Sequence, residues 1–166
     1  MSYSEVFTFF WEHKVDAAYP EYSQFYPSSF WLEDIEFNCT EQWMHWRKAI
    51  AFGDEAVAQK ILKAKSPFEQ KKLGRQVANF NANIWEVVAQ DIVFRGNIAK
   101  FSQNEKLLEK LAQSKGTLVV EASPYDAIWG IGLAANDPRA MDKTQWQGKN
   151  LLGYILTEVR IALCGQ

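Results

Sequence analysis

The sequence predicts a mainly helical α+β fold with a few short strands, organised as a single domain over residues 1–166. Apolar residues recur at helical spacing in several segments, for example at Trp43, Trp46 and Ile50. Signals for helix starts are dense from residue 38 onward, whereas β-branched runs are few and short. A chain of 166 residues is also large enough to bury one hydrophobic core without crosslinks.

These patterns define six helices and three short extended segments. The apolar spacing predicts helices at about 40–51, 54–64, 67–77, 84–99, 103–114 and 151–164. The residue types predict extended segments at Val6–Phe10 and Phe30–Phe37, which we expect to form an N-terminal layer, and at 117–122.

Four of the predicted helices begin with a capping-box pattern, in which a small polar residue precedes a glutamate by three positions. The pairs are Asn38 and Glu41, Ser66 and Glu69, Asn83 and Glu86, and Ser102 and Glu105. In the second pair, Pro67 occupies the first helical position, where its missing N–H costs nothing.

Bulk composition excludes several classes of protein. The net charge of −2 and the pI of about 5.7 argue against a broad basic surface for duplex DNA. No apolar run approaches the roughly 20 residues of a membrane span, and the acidic N-terminus does not resemble a signal peptide. Cys39 and Cys164 form no metal-binding or redox motif and are expected to be small buried apolar residues. We therefore predict a cytoplasmic protein that has no membrane partner, metal or cofactor.

The segment TEQWMHWRKAIAFG, residues 40–53, combines bulky apolar residues with titratable ones. Glu41, His45 and Lys48 are spaced i, i+4 and i+7, which places them on one side of a helix. The apolar residues between them are expected to raise the pKa of a carboxyl group and to lower that of a lysine. This tuning suits acid–base or Schiff-base chemistry. The alternative is structural: Glu41 closes a helix cap, His45 is an interior histidine and Lys48 extends to solvent.

The segment from Ser123 to Asn150 is unusually long for a connection inside one domain. Loops longer than about 12–15 residues generally have a functional cause, so we expect this loop to meet the 40–51 helix. Asp126 and Trp129 lie beside Gly130, where backbone can approach a ligand closely. Lys149 and Asn150 precede the last helix, whose start is a potential phosphate site, although Asn150 is equally suited to a simple N-cap.

Six ordered blocks of the sequence resemble the NADAR (YbiA-like) family. They cover nearly the whole chain and read QFYPSSF (24–30), TEQWMHWRKAIAFGD (40–54), SPFEQKKLGRQV (66–77), GNIAKFSQNEKL (96–107), EASPYDAIWGIGL (121–133) and WQGKNLLGYILTEVR (146–160). The resemblance implies a mainly helical fold and an N-glycosidase that needs no metal. It implies cleavage of the base–ribose bond, either in phosphoribosylaminopyrimidine intermediates of riboflavin synthesis or in ADP-ribosylated guanine of nucleic acid.

The resemblance also implies roles for individual residues. Glu41, Lys48 and Asp126 match the family positions expected to carry catalysis. The residues expected to bind the substrate, by stacking or by holding phosphate, are Trp43, Trp46, Arg75, Trp129, Gly130, Lys149 and Asn150. Gly153 is expected to serve close packing. Gln24 and Asp91 depart from the family pattern, which commonly has asparagine and arginine at these positions.

Three functions remain open at this level. The expected partner of an enzyme is a small ribosyl or ADP-ribosyl substrate, or ADP-ribosylated single-stranded nucleic acid. A non-catalytic reader of ADP-ribose would use Trp129, Asp126 and Asn150 and leave Glu41 and Lys48 structural. A helical protein–protein adaptor would bind neither ADP-ribose nor ribose 5-phosphate.

Overall fold

The computed structural model describes residues 5–166 and contains six α-helices and four short strands in that range. In chain order these are β1 Phe7–Phe10, β2 Phe30–Leu32, β3 Ile35–Phe37, α1 Thr40–Ala51, α2 Glu55–Lys63, α3 Pro67–Gly74, α4 Ala82–Ser102, α5 Glu105–Ala112, β4 Leu118–Glu121 and α6 Leu151–Cys164. The mainly helical fold class predicted from the sequence is confirmed.

The chain divides into two compact units. The central unit is Gln24–Asn104, and the discontinuous unit joins the N-terminal segment through Ser23 to Glu105–Gln166. The organisation as a single domain over 1–166 stays a prediction, and its first four residues lie outside the described part of the chain. None of the helices within residues 5–166 has both the length and the hydrophobicity that a membrane crossing requires.

The short strands form two separate two-stranded sheets, so the expected N-terminal layer is wrong. In the central unit, the predicted segment 30–37 is a hairpin rather than one extended piece: β2 pairs antiparallel with β3. Glu33 and Asp34 form its turn with φ values of 52° and 62°, the left-handed conformation that a two-residue hairpin turn requires. In the discontinuous unit, β1 pairs in parallel with β4, with Phe7 opposite Leu118.

The core of the central unit surrounds α1, which packs against α2, α3 and α4. Trp43 is fully buried, and its indole N–H donates a hydrogen bond to the carbonyl of Ile92 at 2.7 Å. Gly96 makes room for this ring, because a Cβ at that position would lie 2.4 Å from Cδ1 of Trp43. Ile61 and Phe37 complete the buried apolar contacts. This packing fixes the rotation of α1 and therefore the direction in which its polar face points.

Of the four predicted capping residues, one caps a helix in the structure. Ser66 caps α3 by accepting from the N–H of Phe68, with Pro67 at the first position. Helix α4 is capped by Asn81 rather than Asn83 and begins at Ala82.

The other two predicted caps are wrong for different reasons. Helix α1 begins after Cys39, and the Asn38 amide instead accepts from Gln70 and donates to the carbonyl of Lys65. Ser102 is the last residue of α4, which runs three residues beyond its predicted end. Glu41 is consequently not engaged in a capping box with Asn38.

In the discontinuous unit, α6 packs against β4 and a long connection joins them. The connection contains only two short 3₁₀ turns, Pro138–Met141 and Lys143–Gln145. Gly153 of α6 lies against β4: a Cβ there would be 2.2 Å from the carbonyl oxygen of Val119. The predicted role of Gly153 in close packing is therefore supported by its surroundings.

Candidate functional site

A buried pair of titratable side chains lies on the polar face of α1. Oε1 of Glu41 is 2.8 Å from Nε2 of His45, one turn along the helix. Both side chains are almost excluded from water, with exposed fractions of 7% and 8% respectively. The main-chain N–H of Glu41 donates to the carbonyl of Gln24, which also accepts from the hydroxyl of Thr40. The first turn of α1 thus holds a carboxylate where the helix dipole favours negative charge.

The His45 ring rests directly on Gly74, the last residue of α3. A Cβ at position 74 would lie 2.0 Å from Nδ1 of His45 and 2.6 Å from its Cγ. No side chain can therefore stand at position 74 without displacing the imidazole. Nδ1 is buried and has no hydrogen-bond partner among residues 5–166.

Lys48 continues the same face of α1 in an aromatic environment. Its Nζ lies 4.5 Å from the ring centroid of Phe80 and 5.9 Å from that of Trp85. Burial lowers the pKa of Lys48, the positive charge of Arg75 lowers it further, and Glu41 offsets part of the shift. The sequence prediction of a lysine with a depressed pKa on this face agrees with this direction.

The two predicted stacking tryptophans of α1 belong to the core instead. Trp43 has no exposed surface and Trp46 is 8% exposed, and both pack within the apolar cluster around Phe37. Stacking on a ligand needs an open ring face, but Trp43 has no exposed surface and the Trp46 ring packs against Phe37 and Trp43. Trp43 and Trp46 are therefore core residues and not part of the candidate site. Arg75, by contrast, follows the end of α3 and is exposed.

The two departures from the family pattern fall in different environments. Gln24 exchanges two amide hydrogen bonds of 3.2 Å with the buried Asn97. This reciprocal pair links the segment before β2 to α4, beside the start of α1. Asp91 lies on the exposed side of α4.

The predicted residues of the long loop lie in the discontinuous unit. Oδ1 of Asp126 accepts hydrogen bonds from the main-chain N–H groups of Ile128 and Trp129, both at 2.9 Å. Asp126 and Trp129 are half-buried. The carboxylate therefore organises its own turn through one of its two oxygens.

The start of α6 is not an open anion site, contrary to the prediction. The main-chain N–H groups of Lys149, Asn150, Leu151 and Leu152 donate to the carbonyls of Ala127, Gly130, Ile128 and Trp129, respectively. The donors that would have held phosphate are therefore occupied by the loop.

Asn150 is fully buried and joins this loop to β4. Its Oδ1 accepts from the N–H of Glu121 at 2.9 Å, and its Nδ2 donates to the carbonyl of Val119 at 3.1 Å. It precedes α6 in a left-handed conformation and makes no side-chain cap. These contacts give Asn150 a structural role, and its predicted contact with substrate is not supported. Lys149 is exposed.

Gly130 is close to protein backbone on the side where a side chain would stand. A Cβ there would lie 2.9 Å from the carbonyl oxygen of Glu121, and one at Gly148 would lie 2.3 Å from that of Gly130. Gly130 therefore lets the loop pack against the end of β4, and Gly148 lets the loop pack on itself.

Comparison with known proteins places this architecture in one family. The family model of the NADAR domain matches residues 9–164. The chain belongs to the NADAR family.

Individual relatives support the same assignment. N-glycosidase R617 of Acanthamoeba polyphaga mimivirus is 42% identical over 144 residues, which cover 84% of this chain and 85% of the viral protein. Protein irg-1 of Caenorhabditis elegans is 38% identical over 173 residues, covering 95% of this chain and 79% of the worm protein. The NMR structure of E. coli YbiA matches with a TM-score of 0.78 and 25% identity, covering 98% of this chain and 87% of that one. The NADAR relatives identify this chain as an enzyme of the glycosyl hydrolase type.

Within this NADAR chain, the sequence did not indicate three residues around the α1 face, Gly74, Phe80 and Trp85. His45 was predicted on the face but not as the partner of Glu41, and Gly74 gave no signal because its role depends on a neighbouring helix. Phe80 and Trp85 flank Lys48 from the segment around the start of α4. Trp85 stands out only as one of 7 tryptophans, and Phe80 follows a short turn without periodicity.

Proposed function

We propose that this protein hydrolyses the bond between a base and its ribose, with Glu41 as the carboxylate that acts at the anomeric carbon. The supporting observation is the arrangement on α1: a buried Glu41 hydrogen-bonded to His45, with Lys48 two turns from Glu41 on the same face. A structural salt-bridge network would pair Lys48 with a carboxylate, whereas here Lys48 rests on aromatic rings.

Cleavage of a base–ribose bond builds positive charge on the sugar ring. A carboxylate near the anomeric carbon stabilises that charge or activates the attacking water. The electrons of the broken C–N bond leave with the base, which takes up a proton, while the water oxygen bonds to the anomeric carbon. Glu41 suits this work because it is held in a setting of low water content, where its charge acts strongly.

Lys48 has three possible contributions in this reaction: to balance Glu41, to bind a phosphate, or to form an imine with the opened sugar. Its lowered pKa raises the fraction of neutral amine, which the imine requires. Borohydride reduction during turnover provides a direct check, because it converts such an imine into a stable amine that mass spectrometry finds on Lys48.

The remaining predicted residues contribute to binding. Arg75, an exposed cation of the central unit, is proposed to contact the phosphate of the substrate. Its positive charge also lowers the pKa of Lys48. In the discontinuous unit, Trp129 is proposed to stack on a ring, a contact worth roughly 1–3 kcal/mol for a base. Asp126 is proposed to hold ribose hydroxyls, and Lys149 to bind phosphate.

Two substrates fit this proposal, the phosphoribosylaminopyrimidine intermediates and ADP-ribosylated guanine. The net charge of −2 disfavours a long duplex and favours a small molecule or a single strand. The two are separated by incubating the protein with each and measuring the released base by liquid chromatography.

The decisive variant is Glu41→Gln, which keeps the size of the side chain and removes its charge. We expect turnover to fall by at least about 100-fold, the scale of a positioned acid–base group, with an unchanged melting temperature. Glu55→Gln is a matched control, because Glu55 is an exposed carboxylate in the first turn of α2. Wild-type protein that binds but leaves both candidate substrates intact would contradict the proposal and favour the reader function.

A further inference from the structure

The hydrogen bond between His45 and Glu41 has a direction that the surroundings of the ring determine. Nε2 is 2.8 Å from the carboxylate, while Nδ1 is buried without a partner among the described residues. A proton on Nδ1 would be a buried donor with no acceptor, which is costly, whereas a bare lone pair at that position costs less. The favoured form is the neutral imidazole with its proton on Nε2.

The packing of α3 against α1 restricts this ring. Gly74 leaves no space beside Nδ1, Cγ and Cε1, because a Cβ at position 74 would lie 2.7 Å or less from each of these atoms. Replacement of Gly74 by any other residue would displace the imidazole. The bond is therefore fixed by two helices rather than by the pair alone.

We propose that His45 is a positioning residue of this site, a neutral Nε2–H donor that holds Oε1 of Glu41 and leaves Oε2 for the substrate. The proposal rests on the function proposed above. With one oxygen held by the ring, Glu41 would serve as base, nucleophile or charge stabiliser, and the proton for the leaving base would come from another group.

The test combines two variants with a measurement on the wild-type protein. His45→Leu fills a similar volume without a donor, and His45→Gln retains an N–H donor. We expect His45→Leu to lower kcat about 10–100-fold with little change in KM, the scale of an outer positioning contact. We expect His45→Gln to recover most of that loss. A merely structural histidine would lower stability without this separation of kcat from KM and without rescue by glutamine.

The wild-type measurement is ¹⁵N NMR of the histidine ring near neutral pH, which reports the tautomer whether or not the variants fold. A proton on Nε2 alone is expected; a proton on Nδ1, or on both nitrogens, would overturn the proposal. Full activity of His45→Leu would do the same. If Glu41→Gln retains activity, the proposed function itself fails, whereas loss in Glu41→Gln with none in His45→Leu removes only the role of His45.

Discussion

The polar face of α1 and the loop before α6 carry the same kinds of residues but use them differently. In the loop, Asp126 organises its own turn, and Asn150 bonds to the N–H of Glu121 and the carbonyl of Val119 in β4. On α1, Glu41 makes one side-chain hydrogen bond and Lys48 rests on aromatic rings. Polar groups that the fold has fully bonded stabilise it, whereas buried charges with few bonds are costly and typical of functional sites.

This difference predicts that substitutions on the α1 face mainly affect activity, whereas substitutions in the loop mainly affect stability. Removing a charge from α1 should cost activity and little stability, because the fold gains little from that charge. Removing a polar group from the loop should cost stability first, because its partners are main-chain groups that would remain buried and unpaired. Each experiment below tests one side of this comparison.

Lys48→Met is expected to have the largest effect. Turnover should fall by at least about 100-fold, while the melting temperature at pH 7 stays the same or rises. The reason is that folding lowers the pKa of Lys48, so its protonated form is less favourable in the folded than in the unfolded chain. Thermal melts and base release are the measurements, and Lys60→Met, on the exposed side of α2, is the matched control.

The pH dependence of that stability difference follows from the sign of the shift. Below the lowered pKa of Lys48 the folded protein carries the full cost of the buried charge. As pH rises toward the ordinary value of 10.5, the unfolded chain binds more protons than the folded one, and this cost is released. The advantage of Lys48→Met should therefore shrink between pH 7 and pH 10. A variant that is clearly less stable than wild type at pH 7 would contradict the assignment of Lys48 to function.

The contrast also marks what the sequence could predict. Helix α1 was predicted with its bounds, since apolar residues at helical spacing and the charged face both follow from a period of 3.6 residues. The face of Glu41, His45 and Lys48 follows from the same spacing. The hairpin turn at Glu33 and Asp34 was missed because neither residue is the glycine or asparagine that normally signals a left-handed turn.

Contacts between elements distant in the chain were not predictable. The contact of the His45 ring with Gly74 and the position of the aromatic rings around Lys48 depend on how α3 and α4 pack against α1. The loop carbonyls that occupy the N–H groups at the start of α6 are likewise a tertiary feature. A local pattern identifies the N–H groups that a helix start offers but not the acceptors that bind them in the folded protein.

Asn150→Ala is expected to have the next largest effect, on stability. It leaves the N–H of Glu121 and the carbonyl of Val119 without this partner inside the protein, at a cost of about 2–4 kcal/mol for the two groups. Denaturant unfolding measures the loss. Asn83→Ala, on the exposed side of α4, is the matched control and should be nearly neutral. Normal stability with lost activity would instead make Asn150 a binding residue and reverse its assignment.

The two cysteines provide the smallest and most local test, because one lies in each compact unit. Cys39 is buried at the start of α1 beside Glu41, and burial raises the pKa of its thiol to about 11. At pH 8 only about one Cys39 in a thousand is thiolate, the form that reacts. Iodoacetamide should therefore label the half-buried Cys164 and spare Cys39 until the chain unfolds. Labelling of Cys39 in the folded protein, detected by peptide mass spectrometry, would indicate that water reaches the start of α1, and the low-water setting proposed for Glu41 would be wrong.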